Sequence, residues 1–279
     1  MNIRMIVDST VDLMPEYRKR VKVVPLTVHF GDEEYIDGVT IDHKTFYRKL
    51  VETDVLPTTS QATPTAFADQ FRQAQKAREA CIVITLSSRL SGTYQSAVMA
   101  AQEYEHVYVV DSATVAVGSG ILTELAFRYM DQGLDAETVA AKIEEDKKKI
   151  VIVALVDTLE YLKKGGRLSK TVAFAGSMLN IKPVISVIDG EIHLLGKAMG
   201  SKRGNNLLVQ EIDKAGGVDF AKPALLGYTG LSDALLLKYI EDSKPLWENR
   251  LDQVRYATIG PVIGTHAGPG AVAVAFFKK

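Results

Sequence analysis

A single cysteine in 279 residues excludes an intramolecular disulfide and fits a reducing cytoplasm. Cys81 opens the apolar run CIVITL with no basic residue beside it, so it reads as an inert core thiol rather than a nucleophile. An excess of one charge is missing too. The 33 basic and 34 acidic residues give a formal net charge of −1, with no basic surplus to hold a nucleic-acid backbone or an anionic membrane. Long hydrophobic runs are absent, since CIVITL and VIVALV are strand-sized and far too short to span a bilayer. The start, MNIRMIVD, has neither the apolar stretch nor the cleavage site of a signal peptide. Nor is there a G-x-S-x-G, a P-loop, a G-x-G-x-x-G, or a Cys/His/carboxylate grouping at metal-ligand spacing. Together these absences predict a cytoplasmic protein with no metal, no cofactor, no nucleic-acid partner and no membrane insertion.

What is present is ordinary globular composition, 47% hydrophobic and 24% charged, at a length that suits two domains. The first half alternates strands (IRMIV, KVVPLTVHF, CIVITL, HVYVV) with helical patterns (STVDLMPEYRKR, DHKTFYRKLVE, TPTAFADQFRQAQ). That alternation predicts an α/β domain of three layers over residues 1–150, a parallel sheet with helices on both faces. Thr63 and Pro64 mark a helix start, and Tyr94, Ala97, Val98 and Ala101 are the predicted buried face of the next helix. In the second half, Asp189–Gly190 between two apolar runs predicts a two-residue hairpin, hence a mixed-sheet α/β domain over 151–279. No linker composition separates the halves near Ile150, which predicts a wide contact between them.

Four stretches carry more polar chemistry than local structure needs. Asp8, Ser9, Ser87, Ser88, Ser91, Asp111 and Ser112 would share the carboxyl edge of a parallel sheet, where ligands collect. Asp8 and Asp111 read as loop braces, because a carboxylate there would repel an anion. In TLSSRLSGTYQSA, Ser91, Gly92 and Thr93 supply hydroxyls and free N–H groups at a helix start, a setting that favours anions. In PTTSQATP, capping explains Thr63 but leaves Thr59, Ser60 and Gln61 as site candidates. In GPVIGTHAGPGAVAVAF, His266 sits in a glycine-rich turn with room for a ligand. In YLKKGGRLSK, a helix C-cap accounts for Lys163, Lys164 and Gly165 but not for Arg167.

Read in order, VDSTVDL, TTSQATP, LSSRLSGTYQSA, VVDSATV, LKKGGRLS, IKPVI and THAGPGAVAV resemble the DegV family of bacterial fatty-acid-binding proteins along the whole chain. The resemblance implies a two-domain fold with a long-chain fatty acid, such as palmitate, buried at the domain junction. It places the carboxylate on Thr59, Ser91 and His266, with backbone N–H groups near Gly92; Ser60 and Thr93 stay ligand-binding candidates from the residues themselves. Hydroxyls, amides and an imidazolium can supply the partners that a buried carboxylate requires. The segment AFAGSMLNIKP (173–183) is predicted to line part of the tunnel. The resemblance further implies a non-catalytic subunit that presents the carboxyl group to a separate fatty-acid kinase for acyl-phosphate formation. Two positions depart from the family's pattern: Ala62 stands where a proline is common, and Met199 where an arginine is usual. The second weakens the kinase reading, with Arg167 or Arg203 as possible compensation at the headgroup or partner surface. Two alternatives stay open: an acyl-transfer or esterase-type enzyme with Ser91 as nucleophile and His266 as base, and a binding module for another small carboxylate.

Overall fold

The structure, a computed structural model, describes residues 1–168, 180–247 and 250–279. The chain opens with β1 (Asn2–Asp8), a one-turn helix α1 (Pro15–Arg18) and β2 (Val21–Val24). Then come β3 (Thr27–Phe30), β4 (Glu33–Ile36), α2 (His43–Glu52) and β5 (Thr58–Ser60), whose strands make a small antiparallel sheet in the order β4-β3-β5. The first half is completed by α3 (Pro64–Ala77), β6 (Glu79–Thr85), α4 (Thr93–Ala101), β7 (Val107–Asp111), α5 (Val117–Asp131) and α6 (Ala136–Asp146). Strands β2-β1-β6-β7 form an all-parallel sheet. The middles of its central strands, Met5–Val7 and Ala80–Ile84, are continuously apolar because both faces are covered. Ile6, Cys81 and Val83 pack with Phe67, Phe71 and Ala97 of α3 and α4, whereas Met5, Val7 and Ile82 pack with Leu122, Val139 and Ile143 of α5 and α6. Burial pushes the Cys81 thiol up to about 11, the state of an inert core sulfur.

Three local readings are corrected. KVVPLTVHF is not one strand: Pro25 has no N–H for a ladder, and the chain divides there into β2 and β3 of two different sheets. STVDLMPEYRKR is helical only over α1, because Asp8 takes the Thr10 N–H (2.8 Å), the Thr10 hydroxyl (2.6 Å) and the Leu86 N–H (2.7 Å) and holds residues 9–13 as a loop. Helix α4 buries Thr93, Ser96, Ala97 and Ala100 rather than the face centred on Tyr94 and Val98. Its hydroxyls have partners inside: Ser96 accepts from the Gln61 amide and Thr93 from the Ala62 N–H.

The second half runs β8 (Ile150–Leu155), α7 (Glu160–Lys164), β9 (Ile181–Ile188), β10 (Glu191–Met199), α8 (Gly200–Lys214), β11 (Leu225–Tyr228), α9 (Ala234–Asp242), β12 (Tyr256–Thr258), α10 (Pro261–Ala267) and β13 (Val272–Phe277). The sheet order is β10-β9-β8-β13-β11-β12, mixed because β11 and β12 pair in parallel while the other neighbouring strands pair antiparallel. The β9–β10 turn has φ of +50° at Asp189 and +81° at Gly190, the left-handed pair that a tight hairpin needs. Helix α5 lies between the two sheets. Leu122 and Ala126 face β1 and β6, while Ile121 and Leu125 face Ile152, Leu225 and Ala273 of the second sheet. Every residue from Val117 to Phe127 is buried as a result, and the halves meet through a shared helix rather than a linker. No helix among the described residues is long and apolar enough to cross a membrane.

One ion cluster ties α5 to the second half. Glu124, 3% exposed, lies 3.0 Å from Arg128 and 2.9 Å from Arg255, the residue before β12. Removing the carboxylate leaves two guanidinium groups facing each other. Glu124→Ala is expected to lower unfolding stability by about 1–3 kcal/mol, since both arginines keep some solvent. Urea denaturation measures it, and a change under about 0.5 kcal/mol would contradict the clamp.

Candidate functional site

Four segments distant in sequence converge at the carboxyl end of the parallel sheet. Edge strand β5 brings Thr59 and Ser60, and the loop after it brings Gln61. The loop after central strand β6 brings Leu90, Ser91 and Gly92. Helix α10 brings His266, and the turn after α7 brings Arg167. Together with aliphatic residues of the second sheet they enclose a cavity of about 360 Å³, within the range of small-molecule sites. The lining is segregated. Thr59, Gln61, Ser91, Arg167 and His266 form a polar end with Ser60 at its rim, and elsewhere the walls are chiefly leucine, isoleucine, valine and alanine.

The space is made by small residues in register: Ala154 of β8 pairs with Ala273 of β13, and both line the cavity. On its other side Ala273 pairs with Gly227 of β11, where Ile259 and Val117 pack against the bare backbone. Strand β13 (VAVAFF) places Val272, Val274 and Phe276 against α8 and α9, and turns Ala273 and Ala275 toward the first half. Alanines at those alternate positions, in strands otherwise rich in β-branched and aromatic residues, are the sequence signal for the cavity wall. The wall predicted at 173–183 is not located this way: 173–179 lie outside the described residues, and Ile181, Lys182 and Pro183 are not in the lining, which begins on that strand at Ile185.

The polar end is built by a chain of hydrogen bonds. Strand alternation turns Thr59 inward, where Thr59 Oγ1 lies 2.9 Å from His266 Nε2. It turns Ser60 outward, and the Ser60 hydroxyl meets His29 Nε2 at 2.9 Å on the solvent side. Ser91 Oγ accepts the Thr93 N–H and lies 3.0 Å from Thr93 Oγ1. Thr93 is fully buried and outside the lining, so of the predicted Ser91–Gly92–Thr93 trio the first two reach the cavity and Thr93 positions Ser91. Gly92 is the N-cap of α4 and gives its first turn no side-chain cap. A β-carbon there would stand 2.1 Å from Gln61 Oε1, so glycine is what lets the two loops close on each other. Arg203, by contrast, is exposed on α8 and outside the lining, as is Met199.

His266 is not in a loose turn. Pro261 starts a helix that runs to Ala267, and Gly268, at φ +71°, ends it. The glycines of this stretch serve packing: a β-carbon on Gly264 would stand 2.3 Å from the Tyr47 hydroxyl, and one on Gly268 would stand 2.3 Å from the Tyr161 ring. Burial, and secondarily the Arg167 charge, push the His266 imidazole down to about 4. The expected imidazolium is therefore a neutral imidazole in the free protein, and among the described residues the cation at the polar end is Arg167. Its Nε donates to the Leu90 carbonyl (3.2 Å) and its NH1 to the Gly165 carbonyl (2.6 Å). His266 Nδ1 is buried without a partner. A bare acceptor is easier to bury than an orphaned N–H, so we assign the ring proton to Nε2, which donates to Thr59 Oγ1. The Thr59 hydroxyl proton is then free to point into the cavity. Ser91 hydrogen-bonds to Thr93 and His266 to Thr59, so the nucleophile–base contact of the enzyme alternative is not formed in this arrangement. No group of three or more metal-ligating side chains occurs among the described residues.

A family model described as uncharacterised protein, DegV family, matches residues 2–279. A DegV domain-containing protein of Caldanaerobacter subterraneus is 34% identical over 283 residues, 99% of both chains. Among solved structures, a DegV family protein from Thermus thermophilus, described by its fatty-acid binding, is 30% identical with a TM-score of 0.87 over 99% of this chain and 100% of that one. A stearic-acid-binding protein from Eubacterium ventriosum is 27% identical with a TM-score of 0.87 over 100% and 99%.

The imidazole makes a pH test of this geometry. Its folded value of about 4 lies below the ordinary value near 6.5, so the unfolded chain binds the extra proton in between. The contribution of His266 is intact above pH ~6.5 and is lost as pH falls toward ~4. Asp37, raised to about 6, acts oppositely in the same window, so the comparison must be internal. His266→Gln is expected to flatten the acid limb of stability relative to the parent. Parallel curves for parent and variant would place the imidazole in water.

Proposed function

The chain belongs to the DegV family, and from that membership we propose that it binds a long-chain fatty acid, such as palmitate, in the junction cavity. Residues 1–150 and 151–279 are the two domains that meet over the ligand. The observation that carries this reading is the segregation of the cavity into one polar end and long aliphatic walls, the two-part demand of a fatty acid. The acyl chain gains about 0.8 kcal/mol for each methylene that leaves water. The carboxylate needs a donor for every lone pair it buries, and Thr59, Ser91, the N–H groups at Gly92 and Arg167 stand at the polar end to provide them. His266 acts on Thr59, aiming its hydroxyl. Ser60 and Thr93 brace the two loops. These groups hold a carboxylate rather than break a bond, which favours a carrier over an enzyme.

The polar end opens beside exposed Ser60 and Gln61, so a fatty acid bound in this sense keeps its carboxyl group at the accessible end. That orientation suits presentation in the cytoplasm to a separate kinase subunit that makes acyl phosphate; Arg203, exposed on α8, is retained as a candidate partner contact away from the cavity lining.

Organic extraction of the purified protein is expected to release one equivalent of long-chain fatty acid. No lipid in the extract, together with no uptake of added palmitate, would refute the reading. Ser91→Ala and Thr59→Val should each weaken palmitate binding about tenfold or more with little change in melting temperature, the cost of one hydrogen bond to a charged group. Ala273→Phe should abolish binding by filling the aliphatic part, with the headgroup residues unchanged. For the kinase step, hydroxylamine trapping should detect acyl phosphate when palmitate-loaded protein meets a fatty-acid kinase catalytic subunit and ATP. Absence of hydroxamate, with palmitate still bound, would remove the partner from the proposal and leave the carrier.

A further inference from the structure

At the end of α10 opposite His266, the molecule buries two carboxylates that the ligand reading does not use. Asp12, in the loop after β1, is 8% exposed, and Asp37, just after β4, is 4% exposed. Asp12 Oδ1 accepts the N–H of Gly260, the residue before α10, at 3.0 Å. The Asp37 carboxyl faces the Val262 N–H in the first turn and the Ser9 hydroxyl, both of which favour its ionised form. The start of α10, in the second half, thus lies against two carboxylates from the first. The remaining oxygens, Asp12 Oδ2 and Asp37 Oδ2, are buried with no hydrogen-bond partner. The two side chains converge: a β-carbon on Gly260 would stand 3.5 Å from Asp12 Oδ1 and 4.0 Å from Asp37 Oδ2.

The surroundings do not neutralise them. Arg18 of α1 is the cation that faces the pair, and Asp8 of β1 adds a third carboxylate, itself satisfied by Thr10 and Leu86. Tyr47 of α2 faces both, but its phenol donates to the Ile259 carbonyl at 3.1 Å and stays neutral. Two like charges buried in one site with unpartnered oxygens cannot both ionise at modest cost, and a proton on one of them removes one of the two buried charges.

We propose that Asp12 and Asp37 retain one proton between them at neutral pH and act as positioning residues, anchoring the start of α10 so that its last turn sets His266 against Thr59. The part that concerns affinity rests on the fatty-acid reading above. Burial favours this state: it holds Asp12 well above the usual carboxylate range, with the Asp37 charge adding to the effect, and pushes Asp37 up to about 6, with the Asp8 charge adding to it. Because the folded values are raised, the contribution of the pair is full at low pH and is lost as pH rises through them. His266 lies six residues beyond Gly260, about 9 Å along the helix, so a displaced first turn carries the imidazole with it.

The test uses Asp12→Ala and Asp12→Asn, with a readout that needs no ligand. In imidazole NMR of the ligand-free protein, His266 should titrate near 4 in the parent and in Asp12→Asn, whose amide replaces a protonated acid. In Asp12→Ala it should move up toward the ordinary value near ~6.5 as the ring becomes wet. Palmitate affinity at pH 7 should fall about tenfold in Asp12→Ala and stay within about twofold of the parent in Asp12→Asn. Carboxyl carbon shifts should show one of the two aspartates protonated at pH 7. Unchanged His266 titration in Asp12→Ala, or both carboxyls ionised at pH 7, overturns the proposal. If Asp12→Ala does not fold, Asp12→Asn decides: a His266 shift or lost affinity there is contradictory. If the parent takes up no palmitate while His266 still responds to Asp12→Ala, the positioning pair stands and the fatty-acid reading falls.

Discussion

The hydrogen bond between Thr59 Oγ1 and His266 Nε2 joins residues 207 positions apart, one on the edge strand of a small sheet and one at the end of a seven-residue helix. It exists only because both halves close on the same point, and much of the polar end follows from that closure. Thr59 faces inward through the alternation of β5. His266 is delivered by a helix whose glycines allow Tyr47 and Tyr161 to approach its backbone. Burial keeps most water from the imidazole, so it is neutral, and with Nδ1 unpartnered the ring proton is assigned to the bond with threonine. The hydroxyl is aimed as a consequence of burial.

The same exclusion of water divides the work between the ends of the cavity. Aliphatic walls contribute affinity in proportion to the apolar area they cover, without choosing an orientation. The polar end contributes orientation, because a carboxylate turned toward the aliphatic end would lose its hydrogen bonds and meet none. Helix α5 makes both possible. Buried on every side from Val117 to Phe127, it cements the two sheets together, and the alanines of β8 and β13 beside it leave the gap that the ligand would fill.

Most of the architecture was legible in the residues, through patterns that depend on local geometry. Continuous apolar runs announced strands covered on both faces, Thr63–Pro64 a helix start, and Asp189–Gly190 a hairpin. Readings failed where tertiary contacts overrode local pattern: Pro25 splits a strand between two sheets, Asp8 unwinds an expected helix, and α4 buries its hydroxyls because Gln61 and Ala62 wait for them. Thr59, Ser91, Gly92 and Arg167 stood out because capping did not need them, and they line one cavity. Thr93 and Ser60 could not be told from their neighbours, since which face of a turn a hydroxyl takes depends on partners far away in sequence. The neutrality of His266 was beyond sequence for the same reason, as it follows from burial and from Arg167, 99 positions earlier.

The central claim is that the polar end holds an ionised carboxyl group out of water. A carbon-13 spectrum of the protein loaded with palmitate labelled at its carboxyl carbon reads this directly. One resonance should stay at its ionised position well below the pH at which a carboxyl group in water takes up its proton, and Arg167→Ala should shift it whereas Arg203→Ala should not. A bound carboxyl that titrates as it does in water, or that ignores Arg167, would contradict the claim.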